Sequence, residues 1–178
     1  VFITHSHLDH VTSFAFIVDA VGDMRDRPLI IHATEATIRI LREHIFNWLI
    51  WPDFSQTPHG KPFLAYSPIL VGETVTINGR MITPLPANHT VPAVGYQLDS
   101  GNASLVFSGD TGPCPEFWAA VNKIRNLSYL IIECAFPDQE KELAIKSLHL
   151  CPSLLMKELV QWQHEAEIFI THLKPGQI

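Results

Sequence analysis

Apolar residues recur in short runs along this chain, and each run stops at a polar or glycine-containing turn. Strands are expected at Val1–Thr4, Pro28–His32, Thr74–Ile77, Arg80–Leu85, Ala93–Leu98, Ser104–Ser108, Tyr129–Glu133 and Glu167–Thr171. Between several of them the period changes to that of a helix. One helix should start at Thr34, a good N-cap, place Ile38, Leu41, Ile45 and Leu49 on one face, and stop at Pro52. Two more are predicted across Pro115–Ile124 and Pro152–His164, each with proline in its first turn. The proline-rich stretch Pro52–Pro68 reads as a surface loop within one domain covering residues 1–178. Alternating strands and helices make the fold class α/β.

Polar residues interrupt this pattern at telling places. Directly after the first apolar run comes His5-Ser6-His7-Leu8-Asp9-His10, four metal-binding side chains in six positions. Extended backbone sends alternate side chains the same way, so His5 and His7 converge on one ion. Asp9 and His10 follow where the chain turns, at an offset that suits a second ion. Histidine and carboxylate without cysteine select two divalent ions, Zn foremost, with Mn or Fe as alternatives. Further candidates sit at the ends of later apolar runs. Asp110 follows Val106–Gly109, Glu133 ends Leu130–Ile132, His172 follows Ile168–Thr171, and His89 follows the run ending at Leu85. Strand ends on one sheet edge are where α/β proteins assemble sites from distant sequence.

Composition narrows the field. A chain of 178 residues with 47% hydrophobic content can bury a sizeable core. The net charge of −6 argues against long nucleic acids as partners, because their binding rests on phosphate neutralisation; a small phosphate ester remains open. Cys114, Cys134 and Cys151 are an odd count without metal-type spacing, which favours a reduced compartment over a disulfide framework. The chain has no run of eighteen or so apolar residues, so a soluble protein without a membrane partner is expected. It opens inside a strand without methionine and reads as a fragment lacking leading strands. A cytoplasmic location is the expectation, with the periplasm left open and the oligomeric state unspecified.

With these residues in view, the chain resembles the metallo-β-lactamase superfamily, whose hydrolases combine a His-x-His-x-Asp-His turn with a later His, Asp and His. The resemblance implies an αββα sandwich. It also implies His5, His7 and His89 on one metal, Asp9, His10 and His172 on the other, and Asp110 between them. The order Glu133, His149, His172 is similar to the phosphodiesterase branch that includes tRNase Z. There His149 would contact the ester or protonate the leaving oxygen, Glu133 would orient it, and Asp9 joins them as a catalytic residue.

Within that branch the chain most resembles class II 3′,5′-cyclic nucleotide phosphodiesterases. The supporting strings are Thr4–Val11, Glu43–Trp48 with Ile50–Phe54, His89–Tyr96, Phe107–Pro113 and Thr171–Pro175. Phe14 and Asp19–Ala20 depart from that class's usual continuation. The implied substrate is a small cyclic nucleotide, cAMP or cGMP, and the product a nucleoside 5′-monophosphate. Alternatives are a tRNase Z-like phosphodiesterase and a glyoxalase II-like thioester hydrolase. The 20 residues between His89 and Asp110 (110 − 89 − 1) leave no room for the long RNA-binding arm of a tRNase Z. His32, His44, His59 and His164 fall outside the ligand pattern and read as structural or exposed. Phe46, Trp48, Trp51 and Phe54 read as helix packing and loop anchors, with a stacking surface for a purine as the other reading.

Overall fold

The residue expected to cap a helix, Thr34, does so in the computed structural model, which describes residues 1–56 and 60–174. His59 and Pro175 lie outside them. The Thr34 hydroxyl accepts the Thr37 amide at 3.2 Å and starts α2, Glu35–His44. That helix ends well before Pro52. The Asn47 side chain donates to the Glu43 carbonyl at 2.9 Å, and both Ile45 and Phe46 amides return to Leu41, which turns the chain off the helical path. Leu49 is therefore 88% exposed, while Ile38 and Leu41 are buried.

The chain divides into two compact units, Val1–Ile69 and Leu70–Ile178. In the first, α1 (Leu8–Val21) begins immediately after the His5–His7 pair, with His7 at its N-cap position. Its buried residues Val11, Phe14, Ala15 and Val18 follow the helical period. Strand β1 (Leu29–Ala33) pairs in parallel with β2 (Leu64–Pro68), a strand inside the stretch expected to be loop. Proline-rich sequence hid it, although Pro68 stands at its last position and the next amide, that of Ile69, donates to the Ala33 carbonyl at 3.0 Å. The run Val1–Thr4 is a single bridge, Phe2 to His32, rather than a strand; the Ile3 amide donates to the His32 carbonyl at 3.0 Å and the His32 amide to the Val1 carbonyl at 2.8 Å. Ile3, Phe14, Val18, Ile31, Ile38, Leu41, Phe46 and Leu64 are among the residues of this unit's core.

The second unit is built on a six-stranded sheet in sequence order. It comprises β3 (Val75–Ile77), β4 (Arg80–Pro86), β5 (Val94–Asp99), β6 (Ser104–Phe107), β7 (Leu127–Glu133) and β8 (Glu167–Thr171). Strands β3 to β6 are antiparallel neighbours, and β6, β7 and β8 run parallel. Two reversals return β6 to the direction of β4, so β4, β6, β7 and β8 all finish on one sheet edge. Helices α3 (Pro115–Val121) and α5 (Pro152–Glu158) start at proline as expected and end a few residues sooner than the pattern suggested. A further helix, α4 (Lys141–Ser147), lies between Glu133 and His149. Val106, Leu130 and Ile132 pack with Phe117, Trp118, Leu154 and Leu155 into the core on one sheet face. The three cysteines are free and buried. Burial, with the Glu133 carboxylate next in weight, pushes the Cys134 thiol up to about 11. No helix among the described residues is long and apolar enough to cross a membrane.

Candidate metal centre

Candidate ligands occur in both units. In the first, His5 is fully buried at the end of the bridged segment, with the Thr4 hydroxyl 3.1 Å from its Nδ1. Its Nε2 stands 3.1 Å from His7 Nδ1. Two nitrogens bound to one tetrahedral ion at about 2.0–2.1 Å would stand about 3.3 Å apart, so this pair fits a shared ion with little movement. The His10 ring packs at 4.2 Å from that of His5, because the first turn of α1 folds back and the His10 amide donates to the His7 carbonyl at 3.0 Å. Asp9, in the same first turn, carries a carboxylate at the positive end of the helix dipole. Its Oδ2 is 3.7 Å from His10 Nε2.

In the second unit the shared sheet edge brings together the residues expected there. Asp110 follows β6 after Gly109, whose φ of +62° provides the turn. His172 follows β8 with φ of +63°, a left-handed conformation that a non-glycine residue holds at a cost and that aims its ring at Asp110. His172 Nε2 lies 3.3 Å from Asp110 Oδ2, and His89 Nε2 lies 3.9 Å from the same oxygen. Asp110, His149 and His172 each offer a ligand atom within 4.8 Å of the others. Histidine nitrogen and carboxylate oxygen at these separations fit a divalent ion of the Zn, Mn or Fe type.

Two hydrogen bonds fix the ring orientations. His89 Nδ1 stands 3.1 Å from the Leu148 carbonyl, so it donates there and leaves Nε2 as the candidate ligand atom. That carbonyl is aimed by Leu148 itself, at φ of +53° at the end of α4. Gly112 packs so closely on it that a β-carbon would come within 3.2 Å of the Leu148 backbone. Glu133 is fully buried and accepts from three amides: Thr111 at 2.9 Å, Ala135 at 3.1 Å and Leu150 at 3.1 Å. Its Oε1 also stands 2.7 Å from His149 Nδ1. A carboxylate only accepts, so His149 donates through Nδ1 and presents Nε2. The His149 ring stacks on His172 at 5.4 Å and 14° and meets His89 at 4.9 Å.

Sequence reasoning found each of these side chains but not their supports. Thr111, Ala135 and Leu150 act through backbone amides and Leu148 through its carbonyl, which no residue-type pattern reveals. Lys174, whose Nζ lies 3.0 Å from His172 Nε2, was visible only as part of the Thr171–Pro175 string. Phe46 is buried, Trp51 packs on Phe16 and Phe54 on Phe63, as packing and anchoring residues would; Trp48 instead is 58% exposed.

Comparison with known proteins places these features in a family. Residues 1–173 match the family described as "Beta-lactamase superfamily domain". A 3′,5′-cyclic-nucleotide phosphodiesterase of Aliivibrio fischeri is 30% identical over 89% of this chain and 51% of its own length. One of Schizosaccharomyces pombe is 28% identical over 97% of this chain and 56% of its own length. The chain thus spans about half the length of the curated relatives it matches. A crystal structure of unliganded yeast PDE1 aligns with a TM-score of 0.85 at 23% identity, over 99% of this chain and 58% of that one. Human tRNase Z, short form, aligns at 0.71 and 17%, over 99% and 73% of the two chains. These structural likenesses are likenesses of fold.

Proposed function

The chain belongs to the β-lactamase superfamily domain family, and from that premise we propose that it forms the catalytic part of a metal-dependent phosphodiesterase acting on 3′,5′-cyclic nucleotides. The observation that carries this reading is the buried Glu133–His149 pair beside Asp110 and His172. A thioester hydrolase of the same fold has no need of a histidine oriented in this way. The names of the relatives in Aliivibrio fischeri and Schizosaccharomyces pombe support the same reading. So does the interval from His89 to Asp110, which is filled by β5, β6 and the turn between them.

The ligand assignment we propose is His5, His7 and His89 for one ion, Asp9, His10 and His172 for the other, and Asp110 shared. Ions there would supply Lewis acidity for activating water and for offsetting charge that develops on phosphorus. The protein's own part is positional. Leu148 holds His89 in one tautomer, and Glu133 holds His149 with Nε2 presented. With a proton on Nε2 as well as on Nδ1, His149 would pass the Nε2 proton to the 3′ oxygen as its bond to phosphorus breaks and a water oxygen bonds to phosphorus, which yields the nucleoside 5′-monophosphate.

An activity screen over cyclic nucleotides, bis-p-nitrophenyl phosphate and S-lactoylglutathione, run with metal analysis, tests the reading. Cyclic nucleotide turnover is expected, and turnover of the thioester alone overturns it. His149→Ala is expected to cut turnover by about 100-fold, at the low end for a proton-transferring group. Its metal content should stay at the wild-type level, as measured by elemental analysis. Loss of metal would make His149 a ligand instead.

A further inference from the structure

The exposed face of α1 leads away from the histidine motif to Phe16 and Ile17. Asp9 and Phe16 are seven residues apart, nearly two full turns, so they fall on one line along the helix about 10 Å apart. Phe16 and Ile17 are 55% and 49% exposed, whereas Val11, Phe14, Ala15 and Val18 face the core. Helical side chains lean toward the N-terminus, so Phe16 lies over the turn of Thr12 and Ser13, on the Asp9 side. Those two side chains are short, and Thr12 is folded onto the Leu8 carbonyl at 2.6 Å.

The loop after α2 adds Trp48. Asn47 Oδ1 accepts the Leu49 and Ile50 amides at 3.0 and 2.9 Å, and the Trp48 amide donates to the Trp51 carbonyl at 3.0 Å. Trp48 has φ of +68°, so this tight turn presents Trp48 to solvent. The loop grips α1 on both sides. Phe46 meets Phe14 at 6.1 Å on the buried side, and Trp51 meets Phe16 at 5.0 Å and 75° on the exposed side. An exposed tryptophan on a turn bonded to the Trp51 that packs on Phe16, with Phe16 itself exposed and aligned with Asp9, is more than packing requires.

We propose that Phe16 and Trp48 form the platform that receives the purine base of a nucleotide whose phosphate lies at the His5–His10 motif, with Trp51 holding the two together. The proposal rests on the phosphodiesterase reading for its phosphate end. Aromatic faces bind bases with little need for hydrogen bonding, and Phe16 stands nearly two helical turns beyond Asp9, with only the short Thr12 and Ser13 side chains between them. The chain's net charge of −6 counts against an anionic lipid surface.

The test is calorimetric titration of the metal-loaded protein with AMP and with ribose 5-phosphate, which lacks the base. AMP is expected to bind more tightly. Phe16→Ala and Trp48→Ala should each weaken AMP about 5- to 150-fold, the range for loss of one stacking partner, and leave ribose 5-phosphate and metal content unchanged. Phe16→Tyr and Trp48→Phe, which keep an aromatic face, should retain most of the AMP affinity. Equal affinity of the two ligands for the wild-type protein overturns the proposal, as does equal weakening of both in the alanine variants. Variants that change only the oligomeric mass would assign Phe16 and Trp48 to a protein contact and overturn the proposal as well. Because binding is read rather than hydrolysis, base-dependent AMP affinity in a protein that turns over only thioesters would sink the phosphodiesterase reading and leave the platform standing.

Discussion

Asp110→Ala is expected to lower turnover by about 10³-fold or more and to reduce the metal content per chain. Loss of a group that merely orients a metal ligand costs about 10- to 100-fold. Asp110 should exceed that, because its Oδ2 lies near both His172 Nε2, at 3.3 Å, and His89 Nε2, at 3.9 Å, and so serves both proposed ligand sets. Asp110→Asn keeps the shape and one oxygen but removes the charge that the proposed pair of cations would need there. It should fall on the same side, with partial metal retention. Elemental analysis beside steady-state rates checks both variants. Full metal content at the wild-type rate would remove Asp110 from the centre.

Glu133→Ala should act first on stability. It removes the acceptor of three backbone amides, those of Thr111, Ala135 and Leu150, in a site with no solvent exposure. Each orphaned donor costs about 1–3 kcal/mol. The Ala135 amide keeps the Leu150 carbonyl at 3.0 Å, so the Thr111 and Leu150 amides are the two left without an acceptor, and their sum, about 2–6 kcal/mol, is a large part of the 5–15 kcal/mol that holds a typical domain together. Glutamine is no remedy, since its NH₂ would face an amide that already donates. His149→Ala, by contrast, leaves Glu133 all three amides and should change stability far less. Urea denaturation of the two variants in parallel makes the comparison. A loss below about 1 kcal/mol for Glu133→Ala would show that the carboxylate is not the hub of this loop cluster.

The elements that were legible and those that were not differ in how much of their determinant is local. Thr34 announced α2 because an N-cap is decided within one turn, and Pro115 and Pro152 announced α3 and α5 for the same reason. Helix α1 had its signal in Val11, Phe14, Ala15 and Val18, but Phe16 and Ile17 on the opposite face blurred the period. The end of α2 was misplaced because Asn47, not Pro52, stops it, through a side-chain bond to Glu43 that competes with the next helical turn. Strand β2 was missed because its partner β1 lies 35 positions earlier, and pairing rather than alternation makes it a strand.

The candidate donors were legible in the sequence by itself. Residue types and strand ends pointed to His5, His7, Asp9, His10, His89, Asp110, Glu133 and His172, since ligand chemistry is a property of the side chain, and the family resemblance added His149. Only the tertiary structure decided how the His149 and His89 rings are held. Glu133 meets Thr111 across 22 positions, His149 across 16 and Leu150 across 17, and His89 meets the Leu148 carbonyl across 59. Backbone amides and carbonyls are the same at every position along a chain. Which of them reaches a given side chain is set by strand register and by turns such as the one at Leu148, and these exist only once the sheet has formed.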